Sequence, residues 1–336
     1  MRITSVTPMK NEAPFLLEWV AYHRMIGVND MLVFSNDCTD GTNLMLERLD
    51  EMGVLRHYPN PSMYLARDKH HLQVIRYINT SERLPRSDWV VSFDVDEFIC
   101  VNTGKGHLED LFNAVPDANM IVMNQHNFGC SDIVPFEDAL LTRQFQYAWD
   151  KEKAYHARLN RRGTKTLTHQ SAEAKAWHNH SPVFHGDKLD KVHCVNGSGI
   201  RQTEQDFTKD IKSLLHPHFG FDLVQLNHYA LRAVETYMLK VDRGNANHAD
   251  AKDAMAYWRR YDNNDLHDTN IQRMTDDIDT ARDELLKDAE LKSLHTAAVD
   301  VAQRRIAAFK KQPEMQSLLS KIKRYRENHT LAASSA

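Results

Sequence analysis

The stretch VVSFDVDEFIC, Val90 to Cys100, sets three carboxylates (Asp94, Asp96 and Glu97) against an apolar run that resumes at Phe98. Charge is costly to remove from water unless it is paired or coordinates something. Read as the end of a strand, with side chains alternating in direction, Asp94 and Asp96 face one side. Glu97 faces the other, where it can hold a neighbouring loop. Two carboxylates a few Å apart repel unless a proton or cation lies between them. Mg²⁺ and Mn²⁺ take oxygen ligands and bridge one or two carboxylates to phosphate groups. The competing reading is a capping cluster, solvated or paired with Arg or Lys. The buried strand behind the acids favours the metal, with Mn²⁺ or Mg²⁺ as the cofactor.

Other candidates are weaker. His178 and His180 stand two apart in WHNHSPVFHGDKLDKVH, but no Cys partners them at zinc-site spacing. NGSG (196–199) is Gly-rich without the strand–loop–helix context of a phosphate loop, and reads as a plain loop. The four cysteines form no CxxC pair, which argues against a zinc ribbon or disulfide framework and points to a reducing cytoplasm.

The elements that must position the acids alternate in type. RITSVT (2–7), MLVFS (31–35), VLRHY (54–58), WVVSF (89–93) and NMIVMNQ (119–125) read as strands. Between them Phe15, Trp19, Tyr22 and Ile26 recur at helical spacing up to Gly27, and Met45, Leu49 and Met52 do so up to Gly53. A third helix is expected over about 64–83, with Leu72, Ile75 and Ile78 on one side. This alternation predicts an α/β fold with a mostly parallel central sheet covered on both faces. Ligands bind such sheets beyond the carboxyl ends of the strands. Thr7–Glu12, Ser35–Asp40 and the acid cluster all fall at that edge. Residues 126–230 read as loop-rich, and from about 231 the chain reads as helical.

The chain has 336 residues, enough for one large core with a helical annex, and its net charge of −4 gives no general pull toward nucleic acid. No apolar run reaches the roughly 20 residues that span a bilayer, and no signal-peptide core follows Met1. A cytoplasmic protein is expected.

Several segments, taken in order, resemble glycosyltransferases of the GT-A fold, specifically the family-2-like bacterial group related to family 92. They are MKNEAPFLLEWVAYHRMIGV (9–28), SNDCTDGT (35–42), Gln73 with Tyr77, DVDEF (94–98), NFGCSD (127–132), LNHY (226–229), Lys240 and Arg243–Gly244. The resemblance covers about residues 1–245. It implies transfer of a sugar from a nucleotide-diphosphate donor, often UDP-linked, with inversion at the anomeric carbon. It implies Asp94 near the donor ribose or metal, Asp96 as a metal ligand, and Lys10, Asn11, Glu12, Asn36, Asp37 and Gln73 around the donor. His228 is a candidate metal or phosphate contact. Lys175, with His193, and the pair Lys240 and Arg243 are candidate donor contacts. The general base remains open among Asp132, Asp187, Asp190, Glu204 and Asp206. The acceptor is a glycan or lipid-linked precursor of a surface or extracellular polysaccharide.

Two other functions stay in view. A nucleotidyltransferase needs a Gly- and Arg-rich loop after the first strand, and TPMKNEAP has neither residue. A nucleotide- or glycan-binding protein with a degenerate site would not need the intact D-x-D and His228. The expected organisation is a nucleotide-binding half (1–125), acceptor and metal-site loops (126–245), a helical annex (246–330) and a frayed tail (331–336). The annex carries an acidic stretch, DDIDTARDELLKDAE. Arg304, Arg305, Lys310, Lys311, Lys321, Lys323, Arg324 and Arg326 follow, with Glu314 the one acid among them. Either the two charge blocks face each other in an antiparallel annex, or the basic helices rest on an anionic membrane near a lipid-linked acceptor.

Overall fold

The computed structural model describes residues 1–65, 70–81, 84–151, 162–208, 213–214, 218–243 and 251–333. The elements run β1 (Ile3–Met9), α1 (Ala13–Met25), β2 (Asp30–Ser35), α2 (Thr42–Glu51), β3 (Arg56–Pro59), α3 (Ser62–Leu65), α4 (His70–Thr80), β4 (Trp89–Ser92), β5 (Glu97–Val101), α5 (Leu108–Ala114) and β6 (Met120–Asn127). They continue α6 (Leu141–Gln144), β7 (Tyr147–Ala148), β8 (Arg162–His169), β9 (Cys194–Asn196), α7 (Glu204–Thr208), β10 (Ser213–Leu214), β11 (Val224–His228) and α8 (Val234–Asp242). The chain ends with α9 (Ala251–Tyr261), β12 (Leu266–His267), α10 (Thr275–Leu285), α11 (Ala289–Phe309) and α12 (Pro313–Ala333).

The main sheet has the order β3-β2-β1-β4-β8-β6-β11-β5, with β9 paired to β6 and β10 to β8. Strands β3, β2, β1 and β4 are parallel, as the alternation requires, and Met9, Ser35 and Pro59 end at one level. The fold is therefore α/β with a C-terminal set of helices. The sheet is more mixed than expected. Strand β8 lies antiparallel between β4 and β6, and β5 lies antiparallel to β11. Both were hidden in the sequence. TKTLTH, within β8, alternates Thr with other residues but is buried on both faces, so no apolar stripe marks it.

The acids do not continue a strand. After Ser92 the chain turns at Asp94–Glu97, closed by Glu97 N–H donating to the Asp94 carbonyl at 3.1 Å, and runs back as β5. The apolar run that resumes at Phe98 is thus a second strand, at the far edge of the sheet. The third helix is also divided: Ser62–Leu65 and His70–Thr80 are helical, while 66–69 and 82–83 lie outside the described residues.

Helix α1 is apolar around most of its circumference, with Phe15, Leu16, Leu17, Trp19, Val20 and Tyr22 all buried, as befits a helix wedged between a sheet and other helices. Gly27, at φ +117°, takes the chain out of it. Asp40 caps α2 by accepting from Thr42 N–H at 3.0 Å and Thr42 Oγ1 at 2.6 Å. The C-terminal helices do not stand apart. Ile271, Met274, Ile278, Leu291, Ala298, Ala302 and Ile306 belong to the same core cluster as α1 and β5. Helix α10 packs on α1, and α12 on α9. The acidic and basic blocks therefore do not face each other. Arg143 and Arg282 take Asp279 and Asp138, and Lys310 and Arg326 take Glu235 and Asp132.

Candidate active site

The ladder registers build the site. His228 closes β11 opposite Glu97 of β5 and beside Asn127 of β6. Tyr229 N–H donates to the Asp96 carbonyl at 2.8 Å, which ties the turn to the end of β11. The imidazole of His228 therefore lies against Asp96 although 132 positions separate them in sequence. His228 Nε2 is 3.8 Å from Asp96 Oδ1, and His228 Nδ1 is 2.9 Å from Asn127 Oδ1. With the amide oxygen accepting, Nδ1 carries the proton and Nε2 presents its lone pair to the carboxylate. Burial, only partly offset by Asp96, lowers the His228 pKa to about 4, so the ring is neutral at neutral pH. Two acceptors thus face each other across a gap.

The other Asp96 oxygen accepts from Lys240 Nζ at 2.8 Å, and the same ammonium reaches the Ala230 carbonyl at 2.7 Å. Burial opposes the charge on Asp96, but Lys240, then His228 and Arg232, outweigh it and hold the carboxyl far below its ordinary value. Asp94 has a different partner. Its Oδ2 lies 3.2 Å from Lys165 Nζ, and Glu97 Oε2 lies 3.4 Å from the same nitrogen. Lys165 is 1% exposed and also donates to Asn179 Oδ1 at 3.2 Å. Alternation placed Glu97 away from the other acids, but the turn brings its carboxylate onto the same ammonium as Asp94. Glu97 accepts from Asp94 N–H at 2.9 Å and Gln125 Nε2 at 2.6 Å, so it holds the turn. Burial pushes its pKa up to about 7 against the pull of Lys165.

A hard divalent ion fits the gap by its donor set: one carboxylate oxygen, one neutral imidazole nitrogen, and open positions for water or phosphate oxygens. Among the described residues no three His, Cys, Asp or Glu gather to hold a metal by themselves. Asp94 therefore does not join Asp96 and His228 in a three-ligand cluster, because the turn replaces the strand on which the two aspartates would have shared a side.

The donor-side expectations meet at the parallel strand ends. Lys10 Nζ is 3.9 Å from Asp37 Oδ2, and Asn11 Oδ1 accepts from Thr39 N–H at 2.8 Å. Asn11 and Asp37 both hold left-handed backbone, at φ 52° and 45°, a conformation Asn and Asp tolerate better than most residues. Asn36 is buried, with its N–H on the Met9 carbonyl. Gln73 is buried on α4, and Tyr77 packs against Phe34 and Tyr58. Glu12 differs from expectation. It is 2% exposed and ion-paired to Arg232 at 2.7 Å and to Arg243. Burial opposes its charge, and the two guanidiniums more than compensate, lowering its pKa. Arg243 also reaches the carbonyls of Lys10 and Asn11, at 2.9 and 3.4 Å, whereas Gly244 lies outside the described residues.

The remaining candidates lie elsewhere. Lys175 is exposed beside the Ala176–Val183 bridge. His193 contacts Arg201 at 3.3 Å. Asp132 pairs with Arg326 at 2.6 Å, and Asp187, Asp190 and Glu204 are exposed. Asp206 caps α7 by accepting from Thr203 N–H at 2.8 Å, and it pairs with His218 at 3.0 Å. Among the described residues, none of these five acids shares a hydrogen bond or ion pair with the Asp94–Asp96 turn. Sequence reading missed Lys165, Asn127, Asn179 and Arg232. Neither Lys165, in the unmarked strand TKTLTH, nor Arg232, four residues after His228, gave a signal in the sequence.

Parallel strand ends carrying polar loops, with a carboxylate–imidazole gap beside a buried lysine, are the arrangement this α/β sheet presents at one edge. The sequence model of glycosyltransferase family 92 matches residues 2–282, and the chain belongs to that family. Similar chains include glycosyltransferase family 92 proteins of Ricinus communis, 28% identical over 38% of this chain and 23% of that one, and of Arabidopsis thaliana, 29% identical over 38% and 20%. The matched part is thus about a fifth of those plant proteins. Among solved structures, Staphylococcus aureus TarS 1–349 overlaps 97% of this chain and 89% of its own at 11% identity, with a TM-score of 0.30. HddC of Yersinia pseudotuberculosis overlaps 57% and 89% at 7% identity, also at 0.30. Overlaps this loose carry no argument, and the fold description rests on the strand registers.

Proposed function

We propose that this protein is a metal-dependent inverting glycosyltransferase. It would move a sugar from a nucleotide-diphosphate donor, UDP-linked by family resemblance, to a glycan or lipid-linked acceptor in surface or extracellular polysaccharide synthesis. The observation that carries this reading is the 3.8 Å gap between Asp96 Oδ1 and the unprotonated His228 Nε2, with Lys240 on the other Asp96 oxygen. Asp96 and His228 would hold Mn²⁺ or Mg²⁺. When bound, that ion supplies positive charge where the departing diphosphate becomes more negative.

The chain's own residues do the rest. Lys240 adds a fixed cation at the same place, preorganised by two hydrogen bonds so that little rearrangement accompanies reaction. Asp94, steadied by Lys165, offers a carboxylate to a ribose hydroxyl. Lys10, Asn11, Asn36 and Asp37 line the nucleotide end, with Gln73 behind them. Glu12, with one oxygen on Arg232 and the other on Arg243, positions both guanidiniums. An acid from residues 126–230 would take the proton of the acceptor hydroxyl. The exposed side chains of Arg304, Lys311, Lys321, Lys323 and Arg324 support a peripheral contact with anionic lipid at the inner face of the membrane. No helix among the described residues is long and apolar enough to cross a bilayer.

The test is nucleotide release from a panel of nucleotide sugars, with EDTA and then with Mn²⁺ restored. We expect activity with Mn²⁺, none in EDTA, and a loss of about a hundredfold or more in Asp96→Ala. Unchanged turnover in EDTA would overturn the metal assignment.

A further inference from the structure

A cavity of about 500 Å³, with its open mouth counted, lies behind Lys240, between the start of α1, α8 and α11. Its charged lining consists of Glu12, Asp40, Arg232, Lys240, Arg243 and Arg305: four cations against two carboxylates. Both carboxylates are already engaged. Glu12 gives one oxygen to Arg232 Nη1 and the other to Arg243. Asp40 accepts from Ala13 N–H at 3.1 Å and from Thr42. Lys240 and Arg305 are satisfied as well, by Asp96 and Ala230 and by Thr39.

Arg232 is the exception. It is 6% exposed, its guanidinium lies 3.7 Å from the centre of the Phe15 ring, and its Nε and Nη2 have no hydrogen-bond partner among the described residues. These two nitrogens form one edge of the guanidinium, with N–H bonds running parallel, the edge that takes a carboxylate or phosphate in a bidentate pair. Buried donors of this strength are seldom left unmade. Asp94, Asp96, His228, Asn36, Asp37 and Gln73 do not line the cavity, whereas Asn11 and Lys240, both proposed donor contacts, do. The cavity therefore adjoins the place proposed for the donor, and Arg232 lies on its far side from Asp96 and His228 as a group the donor reading does not use.

We infer that this cavity is a second anion site, in which Arg232 binds a phosphate or carboxylate group in bidentate fashion. The two sources are an acidic substituent of the acceptor and a free small anion. The acceptor source rests on the transferase reading; the site itself does not.

The test is calorimetric titration of the full chain with inorganic phosphate in EDTA, where no metal-held phosphate can contribute. Wild type should bind. Arg232→Lys keeps the charge but loses the fork and should bind at least about tenfold more weakly, and Arg232→Gln more weakly still. No binding by wild type, or equal binding by a folded Arg232→Lys, overturns the proposal. If UDP displaces the phosphate, the cavity is part of the donor site and the second site is refuted. Displacement by glucuronate but not glucose identifies an acidic acceptor group, and displacement by neither identifies a free anion. A separate titration with UDP and Mn²⁺ reports on the transferase reading, so the two can fail independently.

Discussion

Replacing Lys165 by Met removes the cation shared by Asp94 and Glu97, both within 3.4 Å of its ammonium. Breaking a buried ion pair from one side costs about 3–5 kcal/mol when the other charge stays ionised. Glu97 has an escape, because its pKa already stands at about 7. Without Lys165 burial and the neighbouring Asp94 and Asp96 charges outweigh the hydrogen bond from Asp94 N–H, the pKa rises further, and the mutant's native state keeps a proton that wild type sheds above pH 7. Between pH 7 and 9 the mutant therefore binds up to one more proton than wild type. Its stability deficit should grow with pH, by up to about 1.4 kcal/mol per unit. Below pH 6 both proteins hold the proton and the deficit should level off at its smallest value. Urea unfolding of wild type and Lys165→Met at pH 6 and pH 8.5 measures this directly. The double variant Lys165→Met with Glu97→Gln should recover most of the loss at pH 8.5, since no charge is then stranded at position 97. A deficit under about 1 kcal/mol, independent of pH and unaffected by Glu97→Gln, would refute the role given to Lys165.

His23 is fully buried, with Nδ1 on the Trp19 carbonyl at 2.8 Å, and burial lowers its pKa to about 3. The unfolded chain takes up the proton first, so stability should fall as pH drops from about 6.5 toward 3, by up to about 1.4 kcal/mol per unit. The slope should be shallower in His23→Gln, and parallel urea-midpoint curves would contradict this. For the membrane contact, wild type should co-sediment with vesicles containing anionic lipid at low salt and be released at high salt. A variant with Arg304, Lys311, Lys321, Lys323 and Arg324 all changed to Gln should stay in the supernatant, and wild type remaining there at low salt would end the proposal.

The parallel half of the fold was legible because each strand there is short, apolar and bounded by turn formers, and each helix shows its spacing. MLVFS and WVVSF became β2 and β4 within a residue or two. The other half was not. Strand β8 is buried by neighbours contributed from distant parts of the chain, so its Thr-rich sequence gives no apolar alternation. The reversal at Asp94–Glu97 was hidden because Phe98–Val101 is as apolar as Val90–Phe93. Two apolar strands joined by a short polar turn look like one strand interrupted by acids. Asp96 and His228 could be singled out by residue type and family resemblance, but their meeting depends on the register of β5, β11 and β6. Lys165 and Arg232 were invisible for the same reason: what makes them notable is what surrounds them, and that is tertiary.

In the proposed mechanism Asp96 and His228 together hold a divalent ion against the donor's phosphates. The most direct measurement is calorimetric binding of UDP in EDTA and in Mn²⁺, to wild type and to Asp96→Asn and His228→Ala. Asp96→Asn keeps the shape and removes the charge, while His228→Ala removes the imidazole. Mn²⁺ should tighten UDP binding to wild type by about tenfold or more, and either substitution should abolish most of that gain while leaving affinity in EDTA nearly unchanged. Equal UDP affinity in EDTA and Mn²⁺, or a Mn²⁺ effect that survives both substitutions, would contradict this mechanism.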